Sequence, residues 1–287
     1  MTAPNLPAAL VDGFSVTGVR AVSGGDVAED FQVDTIGGPV FVKVHRDPRP
    51  AMFEREARGL RALRNTDAVA IPEVLRQDAL GLTLEWIEPG SSRGNTFVID
   101  ERFGRELAAL HTTSNDTFGG LDGDDSGYLG SQPVDLRPTG SWVELFYDRR
   151  VVPLTRRAVE LGRLRASAVD LVDGLAPREA ELCGAPEPPA LVHGDLWAGN
   201  RLVDQTGRSW LIDPSAHWGH RELDLAMMQL FGGFGPATWA AYDEAQPLAP
   251  GWRDRVGWYQ LPPLLVHAIR FGGSYASQII DVLRRVR

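Results

Sequence analysis

Asp195 and Asn200 are separated by four residues within the segment 191–200, which reads LVHGDLWAGN. This D-x-x-x-x-N spacing is typical of the catalytic loop of phosphotransferases. Taken alone it is weak evidence, because Asp and Asn are common in loops. In phosphoryl transfer the protein positions the reactants, holds a metal ion and accepts the proton of the attacking hydroxyl. Asp195 is therefore the candidate base, and it needs no raised pKa if the alcohol becomes acidic only late in the reaction.

Two short β-prone runs follow this loop and predict a hairpin. They cover residues 201–203 and 209–212, with Gly207 in the turn between them. A hairpin centred on Thr206 and Gly207 places Asn200 opposite Asp213, about 5 Å apart as cross-strand partners. Amide and carboxylate oxygens suit Mg²⁺, so both side chains are candidate metal ligands. The alternative is that each residue only caps a turn.

Lys43 is the single lysine among the 29 basic residues of the chain. It lies on a predicted strand at 40–44, with Phe41 on the same face and three valines on the other. From the third strand of a kinase, a lysine reaches nucleotide phosphates and pairs with a glutamate of the next helix. Glu56 is the preferred partner and Glu54 the second choice; the alternative for Glu56 is a solvated helix face.

Two further segments are candidates for binding the nucleotide. Gly24 and Gly25 follow the first predicted strand, where a loop could cover phosphates, although hairpin turns have the same composition. Glu85, Trp86 and Ile87 close the fifth predicted strand, where main-chain groups could bind adenine. The predicted ligands are therefore ATP and Mg²⁺.

The order of the predicted elements indicates an α+β fold with two lobes. Residues 1–88 contain five predicted strands and one main helix, whose stripe 53, 57, 60 and 64 has helical spacing. Residues 89–287 are mainly helical, with predicted helices at 102–111, 142–149, 154–175 and 221–231 and a broken one from 264 onwards. We predict a long loop at 114–140, and its aspartates lack the glutamate that an EF-hand requires. A cleft between two such lobes would favour a ligand.

Composition narrows the class of protein further. The 287 residues carry a formal charge of −9, which argues against broad binding to nucleic acid or anionic membranes. No run of 18 apolar residues predicts a membrane span, and the amino terminus lacks the pattern of a secretory signal. The only cysteine, Cys183, fits a reducing compartment. We expect a cytoplasmic protein; the sequence carries no signal for its oligomeric state.

Several motifs together resemble the fructosamine kinase (ketosamine kinase) family, relatives of the aminoglycoside phosphotransferases. The resemblance rests on residues 193–200, 212–214, 219–227, 231–234 and 271–275. It implies a protein-kinase-like fold and ATP-dependent phosphorylation of a sugar hydroxyl, typically the 3-hydroxyl, of a small ketosamine. By position it implies Asp195 as base, Asn200 and Asp213 as metal ligands, Lys43 as the phosphate lysine and Trp197 as a wall of the sugar pocket. The alternative for Trp197 is a core residue behind the loop.

The resemblance also leaves alternatives open. Asp26 stands where the family often has a cysteine after its glycines, so a thiol switch is excluded there. Asp224 is implied to be structural, tying the catalytic loop to a helix. His217 and His220 lack a third ligand, so we interpret them as turn or substrate-loop residues rather than a metal pair. The competing functions are a kinase of an aminoglycoside, choline or another amino alcohol, and a non-catalytic nucleotide-binding protein.

Overall fold

The computed structural model of the chain describes residues 6–22, 28–90 and 96–287. Its strands are β1 (Val16–Ala21), β2 (Glu29–Thr35), β3 (Val40–Val44), β4 (Val74–Asp78), β5 (Gly81–Glu85), β6 (Ser126–Leu129), β7 (Gln132–Asp135), β8 (Ala190–Val192), β9 (Arg201–Val203), β10 (Ser209–Leu211) and β11 (His217–Gly219). Its α-helices are α1 (Ala8–Val11), α2 (Met52–Arg64), α3 (Thr96–His111), α4 (Val152–Glu160), α5 (Ser167–Asp173), α6 (Glu179–Cys183), α7 (Glu222–Phe231), α8 (Pro236–Ala245), α9 (Trp252–Tyr259), α10 (Leu261–Phe271) and α11 (Ser274–Arg285). A π-helix (Glu144–Val151) precedes α4, and three short 3₁₀ turns cover Leu121–Gly123, Ala176–Arg178 and Ala198–Asn200.

These elements form two compact units. The first unit comprises residues 1–95 together with 200–214, and the second comprises 96–199 and 215–287. The sequence predicts one boundary, after residue 88, and so does not anticipate that the hairpin β9–β10 packs with the first unit. The functional boundary between lobes stays a prediction.

An antiparallel sheet forms the first unit. Its five strands have the order β1-β2-β3-β5-β4. Val40, Val42 and Val44 join one hydrophobic cluster with Leu10 of α1, as the alternation along β3 predicts. Lys43 is consequently turned to the other face of the sheet.

Helix α2 packs against β4 and β5 through its apolar stripe. Phe53, Leu60 and Leu63 are fully buried, and each contributes about 1.5–3 kcal/mol by leaving water. Arg64, which the sequence places on this stripe, is instead partly exposed and forms a long ion pair with Glu85. This packing fixes the rotation of α2 about its own axis, and that rotation sets the direction in which the Glu56 side chain points.

The second unit is built on a helical core rich in aromatic side chains. Trp258 and Tyr259 of α9 pack against Phe146, with ring centroids 5.7 and 5.0 Å apart. Helices α3 and α8 approach closely at Gly104, where a Cβ would lie 2.3 Å from the carbonyl oxygen of Thr238. No helix of the described ranges is both long and apolar enough to cross a bilayer.

Three predicted elements are wrong in detail. The helix predicted at 154–175 is interrupted between α4 and α5, because Gly162 adopts a φ of +66° that ends α4. The predicted loop 114–140 contains the hairpin β6–β7, which turns at Gly130 with a φ of +53°. The segment predicted as a helix at 142–149 is mostly π-helical and continues into α4.

Candidate active site

Lys43 is the centre of a buried ion-pair cluster in the first unit. Its Nζ donates to Glu56 Oε1 at 2.9 Å and also donates to Asp213 Oδ1. Only 6% of Lys43 is exposed. Glu56 is thus the partner, as predicted, whereas Glu54 points outwards and pairs with Arg58 at 3.1 Å. Strand β3, helix α2 and the end of the hairpin each supply one member.

The charges of this cluster are strongly coupled. Burial acts to lower the pKa of Lys43, but the carboxylates of Asp213 and Glu56 outweigh it and raise the pKa above its ordinary value. Burial also raises the pKa of Glu56, and the Lys43 ammonium opposes that shift. Lys43 is therefore a fixed cation at any physiological pH.

The hairpin that carries Asn200 and Asp213 differs from its predicted register by one residue. Ser209 pairs with Val203 and Leu211 with Arg201, so the N–H of Ile212, and not Asp213, faces Asn200, donating to its carbonyl at 3.1 Å. The reason is the five-residue turn, in which the Asp204 carboxylate accepts from the N–H groups of Thr206 and Arg208 at 2.8 and 3.0 Å. Burial opposes ionisation of Asp204, but bonds from the Thr206 hydroxyl and the Trp210 indole, together with these main-chain bonds, prevail and lower its pKa to about 2.

Asp213 adopts a left-handed backbone conformation, with a φ of +54°. Such a conformation is uncommon outside glycine and is frequent at functional sites. Its Oδ1 meets Lys43, whereas its Oδ2 has no hydrogen-bond partner among the described residues. A carboxylate oxygen left open in this way fits a hard cation such as Mg²⁺, which is usually held by one or two carboxylates together with substrate phosphates.

The loop that carries Asp195 belongs to the second unit and is held by Asp224. The two Asp224 oxygens accept from the N–H groups of His193 and Gly194 at 2.7 and 2.8 Å. Asp224 is fully buried and also contacts His111 Nε2 at 3.2 Å. Burial acts to raise the pKa of Asp224, but His111 and the N–H donors outweigh it and the pKa is lowered. Asp224 therefore ties the loop to α7, as the resemblance implies.

Two predicted site residues of this loop, Asp195 and Trp197, are not fully buried. Asp195 is half-buried, and its N–H donates to His193 Nδ1 at 3.3 Å. Trp197 is 39% exposed and makes an edge contact with Phe231, their ring centroids 5.9 Å apart. The alternative of a core tryptophan is therefore wrong. Its ring lies on Gly199, where a Cβ would come within 2.2 Å of it.

The segment 219–222 is held in place by ion pairs to other parts of the second unit, which indicates a structural role. Arg221 donates to both oxygens of Glu187 at 2.7 and 2.9 Å, and Glu222 pairs with Arg255. His220 is buried, and this lowers its pKa to about 4. Among the described residues no three His, Cys, Asp or Glu side chains form a metal-binding group.

Of the two segments predicted to bind the nucleotide, the structure describes only residues 85–87. Glu85 ends β5 opposite Val40, Trp86 Nε1 donates to Glu88 at 2.9 Å, and Ile87 is buried. No main-chain hydrogen bond engages Ile87 within the described part of the chain. Gly24 and Gly25, together with Asp26, lie outside the described residues.

Sequence reasoning missed Arg150 and His111. His111 ends α3 and joins Asp224 to the Tyr242 hydroxyl, which lies 2.8 Å from its Nδ1. Arg150 is 2% exposed in the π-helix. It follows another arginine in a charged stretch that reads as solvated surface, so composition offered no signal for its burial.

Comparison with known proteins gives one consistent group of relatives. A family model described as fructosamine kinase matches residues 2–287. A protein of Synechocystis sp. assigned as a ketoamine kinase is 33% identical over 277 residues, covering 95% of this chain and 91% of the relative. The chloroplastic protein-ribulosamine 3-kinase of Arabidopsis thaliana is 30% identical over 279 residues, covering 93% and 82% of the two chains.

Solved structures agree on the fold. A crystal structure from Thermobifida fusca, assigned as a fructosamine-3-kinase, has a TM-score of 0.87 and 38% identity, covering 96% of this chain and 94% of the other. An aminoglycoside phosphotransferase in complex with AMP-PNP and hygromycin B has a TM-score of 0.65 at 16% identity, covering 96% and 97%. The second likeness supports the protein-kinase-like fold alone.

Proposed function

The chain belongs to the fructosamine kinase family and is a phosphotransferase with an alcohol acceptor, and from this premise we propose its substrate and the role of each residue. The reaction transfers the γ-phosphoryl group of ATP to a sugar hydroxyl of a ketosamine, at the 3-position. The observation that carries this proposal is the buried Lys43, which bridges Glu56 and Asp213.

Asp195 accepts the proton of the sugar hydroxyl as its bond to phosphorus forms. Its loop is rigid because Asp224 binds the main chain of His193 and Gly194. Gly194 has a φ of +80°, and a Cβ there would lie 2.2 Å from the carbonyl oxygen of Ser215. This backbone position therefore requires glycine. The close approach to Ser215 holds Gly194, the residue that precedes Asp195, in place.

Lys43 binds the phosphates of ATP as a compact point charge, and Glu56 holds the ammonium in place. Asn200 and Asp213 would hold Mg²⁺, whose charge would stabilise the negative phosphate oxygens. The main chain of residues 85–87 receives the adenine, whereas the role predicted for Gly24 and Gly25 concerns residues outside the described ranges.

Trp197 forms one wall of the acceptor site. An exposed indole two residues after the base can stack on a sugar ring, and its face attracts the protonated amine of a ketosamine. In this proposal the amine is recognised by the face of the Trp197 indole and not by a carboxylate.

The test is ADP formation with ATP, Mg²⁺ and either fructosyl-lysine or ribulosyl-lysine, with the phosphorylated position assigned by NMR. We expect Asp195→Asn to lower kcat by about 10²–10⁴-fold and to leave ATP binding largely unchanged. The exposed Asp116→Asn removes the same charge elsewhere and should behave as wild type. Unchanged turnover in Asp195→Asn would remove this residue from the mechanism.

A panel of acceptors addresses the substrate separately. Ketosamines should be turned over in preference to aminoglycosides and choline. If no ketosamine gives ADP above background while another amino alcohol does, the acceptor is wrong although the kinase chemistry stands.

A further inference from the structure

Arg150 is buried beside the catalytic loop and lines a small cavity within the second unit. It is 2% exposed, and its Nε has no hydrogen-bond partner in the described structure. The cavity has an interior of about 10 Å³, room for one water molecule. Its lining is apolar apart from Arg150 and the main chain of Gly194: Leu129, Leu223, Met227, Pro262 and Pro263.

No carboxylate of the described residues lies within ion-pair distance of Arg150. Its neighbour Arg149, by contrast, pairs with Glu144 and lies 3.7 Å from Asp135. Burial lowers the pKa of Arg150 to about 10, so the guanidinium is still charged at neutral pH. An unpaired buried charge is strongly destabilising, and fully buried arginines are almost always paired.

The polar groups around Arg150 do not neutralise it. Burial, and next the charge of Arg150, lower the pKa of His217 to about 3, so this imidazole is neutral. Asp224 contributes charge near His217, but its two oxygens are occupied by the N–H groups of His193 and Gly194 and by His111. The second unit therefore presents a positive charge at an apolar cavity with no counter-charge of its own.

We propose that Arg150 binds a compact monovalent anion in this cavity, next to Gly194. In a space of water size, a single-atom halide or one carboxylate oxygen is the anionic group that comes nearest to fitting, and the apolar lining makes the charge-assisted bond strong. The π-helix that carries Arg150 is a rare element that is frequent at functional sites. A bound anion would stabilise the residue preceding the proposed base.

The anion that Arg150 binds could be a free halide ion or the carboxylate of a free glycated amino acid. The first experiment tests the free ion alone. Melting of the full chain is measured in chloride, formate and methanesulfonate at equal ionic strength, because the tetrahedral sulfonate group is bulkier than a carboxylate. In chloride or formate we expect Tm to rise by about 2 °C per tenfold concentration above Kd. Crystals soaked in bromide should show an anomalous peak at hydrogen-bond distance from Arg150.

The matched variants are Arg150→Met and Arg156→Met. Arg150→Met keeps the volume and removes the charge, so its Tm should no longer depend on the anion. Arg156 is exposed on α4, and its replacement should leave the anion dependence intact. If Arg150→Met fails to fold, the wild-type anion series and the bromide peak still decide the matter.

The second arm rests on the proposed function and uses fructosyl-glycine and its carboxamide. If the source is the substrate carboxylate, the amide should have a KM roughly 10–100-fold higher, and Arg150→Met should abolish the difference. A halide effect without this difference identifies a free ion. Equal Tm in all three anions, no bromide peak and equal KM values would overturn the site, whether or not the kinase assay succeeds.

Discussion

Lys43 is the residue on which the proposed nucleotide site depends. It is the single lysine of a chain with 29 basic residues, and it is wedged between the carboxylates of Glu56 and Asp213. A compact ammonium can contact two carboxylates and a phosphate as a point charge, whereas the guanidinium of arginine is a longer, planar fork. In a chain otherwise rich in arginine, this buried position carries the compact cation.

We therefore expect Lys43→Arg to lower kcat/KM about 10²-fold while the fold survives. The fork keeps the charge but displaces Glu56 or Asp213. The measurements are steady-state kinetics at saturating ketosamine and the Tm of the apo protein. Arg58→Lys, at a half-buried position of α2 outside this cluster, is the matched control and should have no effect on rate. Near-normal turnover in Lys43→Arg would mean that its identity is incidental.

For individual residues, the sequence predicted the ion-pair partner of Lys43 correctly but not the strand register of the hairpin β9–β10. Glu56 is the predicted partner of Lys43 in preference to Glu54, and the hydrogen bond between Lys43 and Glu56 confirms that choice. The pairing of Asn200 with Asp213 was wrong by one residue, because the Asp204 carboxylate organises a wider turn. Side-chain bonds that set turn length do not follow from a strand pattern. The metal role of both residues stays a prediction.

At the scale of elements, α7 connects the catalytic loop to the rest of the second unit. Near its start, Glu222 pairs with Arg255 of α9, and Asp224 binds the loop. Glu222 is only 3% exposed, and burial raises its pKa against the opposing effect of Arg255. A buried pair of this kind is costly to break from one side, since the remaining charge is left without a partner.

We expect Glu222→Gln to lower the free energy of unfolding by about 3–5 kcal/mol. Because Arg255 then remains as an uncompensated charge, the double variant Glu222→Gln with Arg255→Met should recover a large part of that loss. Urea unfolding of the wild type, both single variants and the double variant measures the coupling. Purely additive effects would show that the pair contributes nothing. Glu181→Gln, an exposed partner of Arg178, is the control.

Helices and strands could be predicted where the spacing of apolar residues is regular. They could not be predicted where a single residue interrupts that spacing. Strand β3 has the predicted range, and helix α2 contains the predicted stripe, because alternation and helical spacing are clear. Gly162 interrupts a helix that its neighbours would continue, since a positive φ costs glycine nothing. The hairpin β6–β7 has only four residues per strand, too few for a visible alternation.

For the whole molecule, the assignment of lobes follows from the order of strand-rich and helix-rich segments. The sequence could not place residues 200–214 with the first unit, because that depends on packing between distant segments. One such contact is the hydrogen bond from the N–H of Leu211 to the carbonyl of Ala70, at 2.9 Å. The same holds for the buried polar groups of the second unit, whose burial is set by long-range packing.

Two of those groups, His217 and His220, make the stability of the molecule dependent on pH. Burial lowers their pKa values to about 3 and about 4, so both are neutral in the folded protein. In the unfolded chain each titrates near 6.5. Between these values the unfolded state binds more protons, so the stability present above pH 6.5 is lost as the pH falls towards 4.

Each histidine should contribute a slope of up to about 1.4 kcal/mol per pH unit, so unfolding in urea should become easier by about 2–3 kcal/mol per unit between pH 6 and pH 4.5. His217→Gln removes one titrating group and should reduce that slope by about half. Stabilities of wild type and variant above pH 7.5 provide the reference, because neither imidazole titrates there. An unchanged slope in His217→Gln would mean that this ring is protonated in the folded protein, and a buried imidazolium beside Arg150 would then require an anion of its own.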